Sequence, residues 1–172
     1  MECLGECGHN GDYCTHGGSG RRVADLHSGM LYRISTEHSD MRLDDVHAML
    51  AATYWSPRIR REIVEKAMAN SVVVGAFENA TGRQVGYARV VTDSATFAWL
   101  CDVIVDEAHR GHGLSRRMLE AIERHPRLQS LRRWCLATRD AHGLYTKMGY
   151  GPVVPGAWME RKCDPSVWQD PA

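Results

Sequence analysis

One segment of the sequence combines the features of an anion-binding site. An apolar run ending in Val103-Ile104-Val105 leads into a short loop that contains Gly111 and Gly113, and an amphipathic helix follows. Glycine lets a backbone turn tightly and lets a ligand approach its N–H groups, and the first N–H groups of a helix attract anions. Because Arg110 adds a positive charge to this loop, we expect a pyrophosphate group to bind there.

A tight strand-to-helix turn that binds nothing would also need two glycines. Two related phosphate sites are disfavoured, because the loop has neither the Gly-Lys-Ser/Thr ending of a P-loop nor the G-x-G-x-x-G pattern of a dinucleotide fold. The two glycines alone therefore do not predict an anion site; a second motif is needed.

The loop resembles the acetyl-CoA signature of the GNAT N-acetyltransferase superfamily, Arg/Gln-x-x-Gly-x-Gly/Ala. The matching residues are Arg110, Gly111, His112, Gly113, Leu114 and Ser115. Ser115 stands where that family usually has Gly or Ala, but serine is small and its hydroxyl can donate to a phosphate. The resemblance further implies that the pantetheine arm of acetyl-CoA pairs, like an added strand, with the backbone of Cys101–Val105, including Val103, Ile104 and Val105.

A second resemblance lies downstream, where residues 137–150 are similar to the GNAT motif Ala-x-x-Leu-Tyr-x-x-x-Gly-Phe/Tyr. In that family this helix packs beside the thioester end of the cofactor, and its tyrosine often acts as the general acid. Tyr145 is the matching residue, so the resemblance predicts that Tyr145 protonates the leaving thiolate. The alternative is a buried tyrosine with a purely structural hydroxyl.

The reaction implied by the resemblance is attack of a neutral amine on the acetyl thioester. Asp102 is the candidate proton acceptor, because it is a lone charge in the apolar run from Trp99 to Val105; its alternative is a structural acid paired with an arginine. His142 and His47 are weaker candidates. Direct attack is favoured over an acyl-cysteine route, because Cys101 has no His or Asp partner nearby in sequence.

We expect the acceptor to be a primary amine of a small molecule, because the chain has no obvious segment for reading peptides. A protein or peptide acetyltransferase, acting on lysine or an N-terminus, is the first alternative, and an acyl-CoA-binding module without turnover is the second. Aromatic residues that could line the acceptor site are Tyr54, Trp55, Trp99 and Trp158. The basic run Arg58–Arg61 is either a solvated helix face or a site for an acidic group on the substrate.

Charge and composition argue against other partners. The chain of 172 residues has 21 Lys and Arg against 21 Asp and Glu, so it has no general attraction for nucleic acid. No apolar run approaches the roughly 20 residues that span a bilayer, and the N-terminus shows no secretory signal. The cysteines form no regular disulfide framework, so we expect a cytoplasmic protein. A monomer and a homodimer both fit these observations.

Residues 1–30 differ from the rest in being rich in glycine and poor in large apolar residues. We expect either a flexible extension or sequence outside the native domain, with the acetyltransferase domain covering residues 31–172. The segment contains potential zinc ligands, which are Cys3, Cys7, His9, Cys14 and His16. Their spacing lacks the paired C-x2-C of strong zinc sites, so we expect no metal.

Hydrophobic periodicity and turn residues predict alternating elements from residue 31 onward. Four helices are predicted. The first follows Asp40 and has an apolar face at Leu43, Val46, Met49 and Leu50, and the second starts at Ser56-Pro57 and has a buried face at Ile59, Ile63 and Ala67. The third runs from about Gly113 to Arg124, and the fourth runs from an Asp140 cap to Met148. The predicted strands are Leu31–Thr36, Ser71–Glu78, Gln84–Val91, Phe97–Val105, Arg133–Thr138, Val153-Val154 and Trp158–Arg161. With the resemblance, they predict an α+β (mixed α/β) protein of the GNAT fold, with a twisted, mostly antiparallel mixed sheet flanked by helices.

Overall fold

The computed structural model of the chain describes residues 31–171. The predicted N-terminal extension and its potential zinc ligands lie outside this range. The strands are β1 (Tyr32–Ser35), β2 (Val72–Glu78), β3 (Gln84–Thr92), β4 (Phe97–Val105) and β5 (Arg133–Leu136). The helices are α1 (Leu43–Ala51), α2 (Arg61–Ala69), α3 (Leu114–Glu123) and α4 (His142–Thr146), and short 3-10 turns lie at His38–Asp40, Glu107–His109, Pro126–Leu128 and Pro165–Val167.

The five strands form one sheet in the order β1-β2-β3-β4-β5. Antiparallel pairing joins β1 to β2, β2 to β3 and β3 to β4, whereas β4 and β5 are parallel. A parallel pair needs a crossover connection, and here α3 lies between β4 and β5 in the chain. The expected mostly antiparallel mixed sheet with flanking helices is therefore confirmed.

Two cores cover the two faces of the sheet. Successive residues of a strand point to opposite faces, and β2 places Val72 and Val74 in one core and Val73 in the other. The first core packs against α3, whose buried residues are the predicted Leu114, Met118, Leu119 and Ile122. The second packs against α1 and α2 through Val46, Leu50, Val64 and Met68.

The connection between α1 and α2 differs from the prediction. The second helix begins at Arg61 instead of Ser56-Pro57, because Thr53 Oγ1 accepts from the Ser56 N–H at 3.1 Å and donates to the Leu50 carbonyl at 2.7 Å. These bonds build a turn. The buried face of α2 is consequently Val64 and Met68, whereas Ile59, Ile63 and Ala67 are half-buried.

Two predicted aspartate caps are also wrong. Asp40 binds Arg33 with 2.8 Å between Oδ2 and Nη1, and Arg42 takes the N-cap position of α1. Ala141 takes that position in α4, where its N–H donates to Thr138 Oγ1 at 3.0 Å. The Asp140 side chain is therefore available for another role.

The predicted C-terminal strands do not form. Residues 151–164 contain no strand, and Pro152 and Pro155 lack the N–H groups that a sheet ladder needs. The tail beyond them returns to the connection between α1 and α2, where the Arg60 N–H donates to the Trp168 carbonyl at 3.0 Å and the Asp170 N–H donates to the Arg58 carbonyl at 2.9 Å.

Close packing between β2 and its neighbours gives a test of the fold. A Cβ atom at Gly75 would lie 2.7 Å from the Phe77 ring and 2.8 Å from Gln84 Nε2, and both residues are buried. We expect Gly75→Ala to lower the free energy of unfolding by about 1–3 kcal/mol through overpacking, measured by urea denaturation. Gly143→Ala is the matched control, because nothing lies within 4 Å of its added methyl group. Equal stability of the two variants would contradict this packing.

Candidate active site

The strands β4 and β5 separate halfway along β4. β5 pairs with Phe97–Leu100, so the backbone of Cys101–Val105 has no β5 partner on that side in the described chain. Unpaired N–H and C=O groups at a strand edge can accept another extended chain. This segment is the one expected from the sequence to pair with an extended ligand.

A β-bulge lies where the two strands separate. Tyr87 pairs with Ile104 and Arg89 with Cys101, so Asp102 and Val103 together oppose a single residue of β3. Asp102 has φ of 55°, a left-handed conformation that is unusual for a non-glycine residue. A bulge bends its strand and increases the local twist, which here directs the second half of β4 away from β5.

An ion pair holds the bulge. Asp102 Oδ2 lies 2.5 Å from Arg89 Nε, and the two side chains are 12% and 20% exposed. Arg89 also donates to Ser71 Oγ at 3.4 Å. This geometry supports the structural alternative for Asp102, while its role as proton acceptor stays a prediction.

The glycine loop after β4 has the backbone of an anion site. Gly111 has φ of 82° and Gly113 has φ of 70°, which favour glycine because no Cβ is present. Gly113 is the N-cap of α3, so the first N–H groups of that ten-residue helix face the loop. Nothing lies within 4 Å of the Cβ positions of either glycine, so the space above the loop is open.

Side chains around the loop fix its shape. Asp106 accepts from the Ala108 N–H at 3.1 Å and from Arg83 Nη2 at 2.6 Å. Arg110 donates from Nε to the Val105 carbonyl at 3.3 Å, and 63% of its side chain is exposed. Leu114 is buried in the core and the His112 ring packs against Tyr32, so both can serve a ligand at the loop through their backbone.

Two adjoining cavities follow the exposed edge of β4. The first, here named the loop cleft, has a volume of about 830 Å³ and is lined by Val103, Ile104, Val105, Arg110 and Ser115, among others. The second, the central cavity, has a volume of about 610 Å³ and contains both Asp102 and Tyr145. Both cavities are lined by Tyr54, Trp55, Val103 and Asp140. The structure thus brings the predicted catalytic pair together, next to most of the predicted cofactor residues.

Tyr145 is one of the residues that line the central cavity. Its side chain is buried, and its ring packs edge-on against Tyr150 with 5.9 Å between centroids. Burial raises the pKa of the Tyr145 phenol, and the negative charge of Asp140 raises it further. The hydroxyl therefore keeps its proton at neutral pH and can donate it.

Known proteins share this sequence and architecture. Residues 69–152 match the family model described as acetyltransferase (GNAT) domain. The chain is 30% identical over 138 residues to a Gibberella zeae protein that is classed as an acetyltransferase, covering 67% of this chain and 76% of the other. It is 42% identical to a Xanthomonas campestris pv. campestris protein of the GNAT family whose structure is solved, with a TM-score of 0.73 over 77% of this chain and 93% of that chain.

The chain belongs to the GNAT acetyltransferase family.

A more distant solved structure supports the fold alone. An acetyltransferase from Clostridium acetobutylicum, solved with acetyl-CoA, is 15% identical and has a TM-score of 0.56 over 76% of this chain and 94% of that chain.

In this GNAT domain the cysteine beside the bulge is less reactive as a nucleophile than an ordinary cysteine. Cys101 lines the central cavity, and burial raises the pKa of its thiol to about 11. The reactive form of cysteine is the thiolate, which is scarce at neutral pH when the pKa is that high. The thiol therefore supports direct attack over an acyl-cysteine route.

Aromatic residues form the outer walls of the central cavity. The predicted Tyr54, Trp55 and Trp99 line it, whereas Trp158 does not. Trp158 instead contacts the Trp99 ring edge-on, with 5.6 Å between centroids. Arg139 lies over the Tyr54 ring at 3.6 Å from its centroid, a cation–π contact that holds this wall in place.

Other sequence candidates have structural partners. His47 Nε2 lies 2.9 Å from the Ile59 carbonyl, and neither His47 nor His142 lines the central cavity. In the basic run, Arg60 bonds to the Val167 carbonyl and Arg61 pairs with Asp44 at 2.8 Å. These contacts favour a structural role for the run.

Sequence reasoning missed three charged residues that line the central cavity, which are Arg89, Arg139 and Asp140. Arg89 is the single charged residue in its strand. A lone charge in an apolar strand identified Asp102, and the same signal could have identified Arg89. Asp140 was interpreted as a helix cap, whereas it lines both cavities beside Tyr145. Asp140 lies there because residues 137–141 form a short loop between β5 and α4.

Within residues 31–171, no group of three or more His, Cys, Asp and Glu side chains is arranged to hold a metal ion. In the same range, no helix is long and apolar enough to cross a membrane.

The Arg89–Asp102 pair gives a test of the bulge. We expect Arg89→Met to lower the free energy of unfolding by about 2–4 kcal/mol, because removing one partner of a largely buried ion pair leaves the other charge uncompensated. The double variant Arg89→Met/Asp102→Asn should regain part of that loss, since it buries neither charge. Arg61→Met is the matched control, because its pair with Asp44 is exposed and worth roughly 0–1 kcal/mol. Chemical denaturation measures these variants together with the parent and the single variant Asp102→Asn, and strictly additive losses from the two single substitutions would contradict the coupling.

Proposed function

We propose that this chain is an acetyl-CoA-dependent N-acetyltransferase that transfers an acetyl group to a primary amine of a small molecule. The observation that carries the proposal is the continuity of the loop cleft and the central cavity, which share Val103 and Asp140. The two cavities together connect the glycine loop, which we propose as the anion site, to Tyr145, the proposed proton donor, along the unpaired edge of β4. Membership of the GNAT family supports the choice of cofactor.

The residues present fit acetyl-CoA. The open space above Gly111 and Gly113 and the exposed guanidinium of Arg110 suit a pyrophosphate. The unpaired backbone of Cys101–Val105 suits an extended amide chain. When bound, acetyl-CoA supplies the acetyl thioester to the central cavity.

The chain's own groups then manage two protons. The incoming ammonium loses a proton to a carboxylate or to water before its nitrogen forms the amide bond. Asp102 is our sequence-based acceptor, and Asp140 is a second carboxylate in the same cavity. Tyr145 gives its proton to the sulfur as the carbon–sulfur bond breaks, and the proton that the nitrogen releases as the amide forms returns to the Tyr145 oxygen. A buried, protonated phenol is suited to that step.

A panel of amines tests the function directly. Free CoA release and product mass are measured with alkyl amines, arylalkyl amines, polyamines, aminoglycosides and lysine peptides. Acetylation of a small primary amine supports the proposal. Preferential acetylation of peptides would overturn it in favour of a protein acetyltransferase, and acetyl-CoA binding without any turnover would indicate a binding module.

The glycine loop gives a prediction for the cofactor. We expect Gly113→Val to weaken CoA binding about tenfold or more, because a left-handed non-glycine residue costs roughly 1–2 kcal/mol and its side chain would enter the open space above the loop. Isothermal titration calorimetry with CoA measures the affinity. Gly82→Val is the matched control, since Gly82 has the same φ of 70° in the β2–β3 hairpin and should leave the affinity unchanged. Equal affinities for both variants would overturn the loop assignment.

Tyr145 gives a prediction for the chemistry. We expect Tyr145→Phe to lower kcat by roughly 10²- to 10⁴-fold, the usual contribution of a positioned proton donor, with little change in KM. Since the pKa of Tyr145 is raised above its usual value of 10.0, the parent should lose activity from this group only above about pH 10. The variant should lack that alkaline limb.

Tyr87→Phe is the control for that experiment. Tyr87 is also a buried tyrosine, and its hydroxyl has no hydrogen-bond partner in the described structure. It should keep the parental kcat. If Tyr145→Phe keeps kcat within about threefold of the parent, far less than a proton donor contributes, another group must protonate the thiolate.

A further inference from the structure

A third cavity lies beyond the central cavity, between β5 and the segment of residues 151–160. We name it the indole pocket; its volume is about 440 Å³. Its larger apolar lining residues include Trp99, Trp134, Val153, Trp158 and Met159. Among the described residues that line it, Glu160 carries the single formal charge.

The indole pocket continues the central cavity at the end away from the glycine loop. Trp99 and Ala137 line both. None of the four residues shared by the central cavity and the loop cleft lines the indole pocket. The three cavities therefore lie in series, with Tyr145 and Asp102 in the middle one.

The walls of the indole pocket expose apolar surface. Trp158 is 43% exposed, Val153 56% and Met159 96%. Contiguous apolar surface on a soluble domain commonly marks a place where a ligand or partner binds. The edge-on contact between Trp99 and Trp158 keeps one indole at the boundary with the central cavity, where it can meet a ring on the substrate.

We propose that the indole pocket holds the substituent of the acceptor amine, and that the acceptor class is a primary amine joined through a short chain to a flat aromatic group. This inference rests on the proposed function. Three indoles favour an aromatic ring through edge-to-face and offset stacking. No Lys, Arg or His is among the described residues that line the pocket, so an acidic substituent would find no partner there and an uncharged one is favoured.

A polyamine is the main competing acceptor for a pocket with a carboxylate at its wall. Glu160 is a weak site for it, because the side chain is 77% exposed and lies 3.5 Å from the Lys162 ammonium. An aliphatic polyamine would also leave the three indole faces without a ring to stack on. The apolar lining therefore favours the arylalkyl amine.

Four amines separate these cases in the full-length chain with saturating acetyl-CoA. We expect kcat/KM for 2-phenylethylamine and tryptamine to exceed that for n-butylamine and spermidine by about tenfold or more, the discrimination that an apolar pocket achieves. Butylamine or spermidine at least equal to the arylalkyl amines overturns this inference and leaves the proposed function standing. No acetylated amine at all overturns the proposed function, and this inference with it.

Variants of the pocket wall locate the effect. We expect Trp158→Ala to lower kcat/KM for 2-phenylethylamine about tenfold, mainly through KM, with little change for n-butylamine. Trp158→Phe should restore part of the loss because a ring is retained. Val154→Ala is the matched control, since Val154 is exposed in the same segment and does not line the pocket. Equal effects of Trp158→Ala on both amines overturn the assignment of the pocket, and thermal unfolding checks that each variant is folded.

Discussion

The unequal pairing of β4 with its two neighbours is the constraint on which the site depends. β3 accompanies β4 along most of its length, whereas β5 accompanies its first four residues. If β5 paired with β4 along its full length, the N–H and C=O groups on that edge of Cys101–Val105 would be bonded to β5. The space between the two strands, which forms part of the central cavity, would then be filled. The bulge at Asp102 marks the point of divergence, so one local irregularity determines where the sheet presents an unpaired strand edge.

The ion pair beneath the bulge illustrates how charge and backbone conformation support each other. A carboxylate in an apolar strand costs desolvation, and a left-handed aspartate costs conformational energy. The guanidinium of Arg89 offsets both by holding the carboxylate in one place. Cys101 shows the other side of this environment, because burial raises the pKa of its thiol to about 11 even though the positive charge of Arg89 lowers it.

Sequence reasoning succeeded where the information was local. The strand Phe97–Val105 was predicted to the residue, and α3 was predicted within one residue at each end, because apolar periodicity and glycine signals lie within those segments. The prediction failed at Ser56, whose N–H bonds to Thr53 in a turn, and at Asp40, whose carboxylate pairs with Arg33. It also failed at Val153-Val154, where the neighbouring prolines prevent strand pairing. Asp102 and Tyr145 were expected in one site and share one cavity. Arg89 was overlooked although it is a lone charge in its strand, and Asp140 was missed because its place in the cavity depends on the fold of the loop between β5 and α4.

The sheet with its glycine loop and the loops beside it, including residues 58–60 to which the tail pairs, place different constraints on the sequence. Residues 52–60 and 151–160 are loops that contribute to the lining of the central cavity and of the indole pocket. The tail bonds to the first of them, and neither belongs to the sheet or to the glycine loop. Their side chains can change without altering the backbone of β4 or α3. Proteins with the same glycine loop can therefore differ in the loops that line these cavities, so the loop motif alone does not define the shape of the cavities beside it.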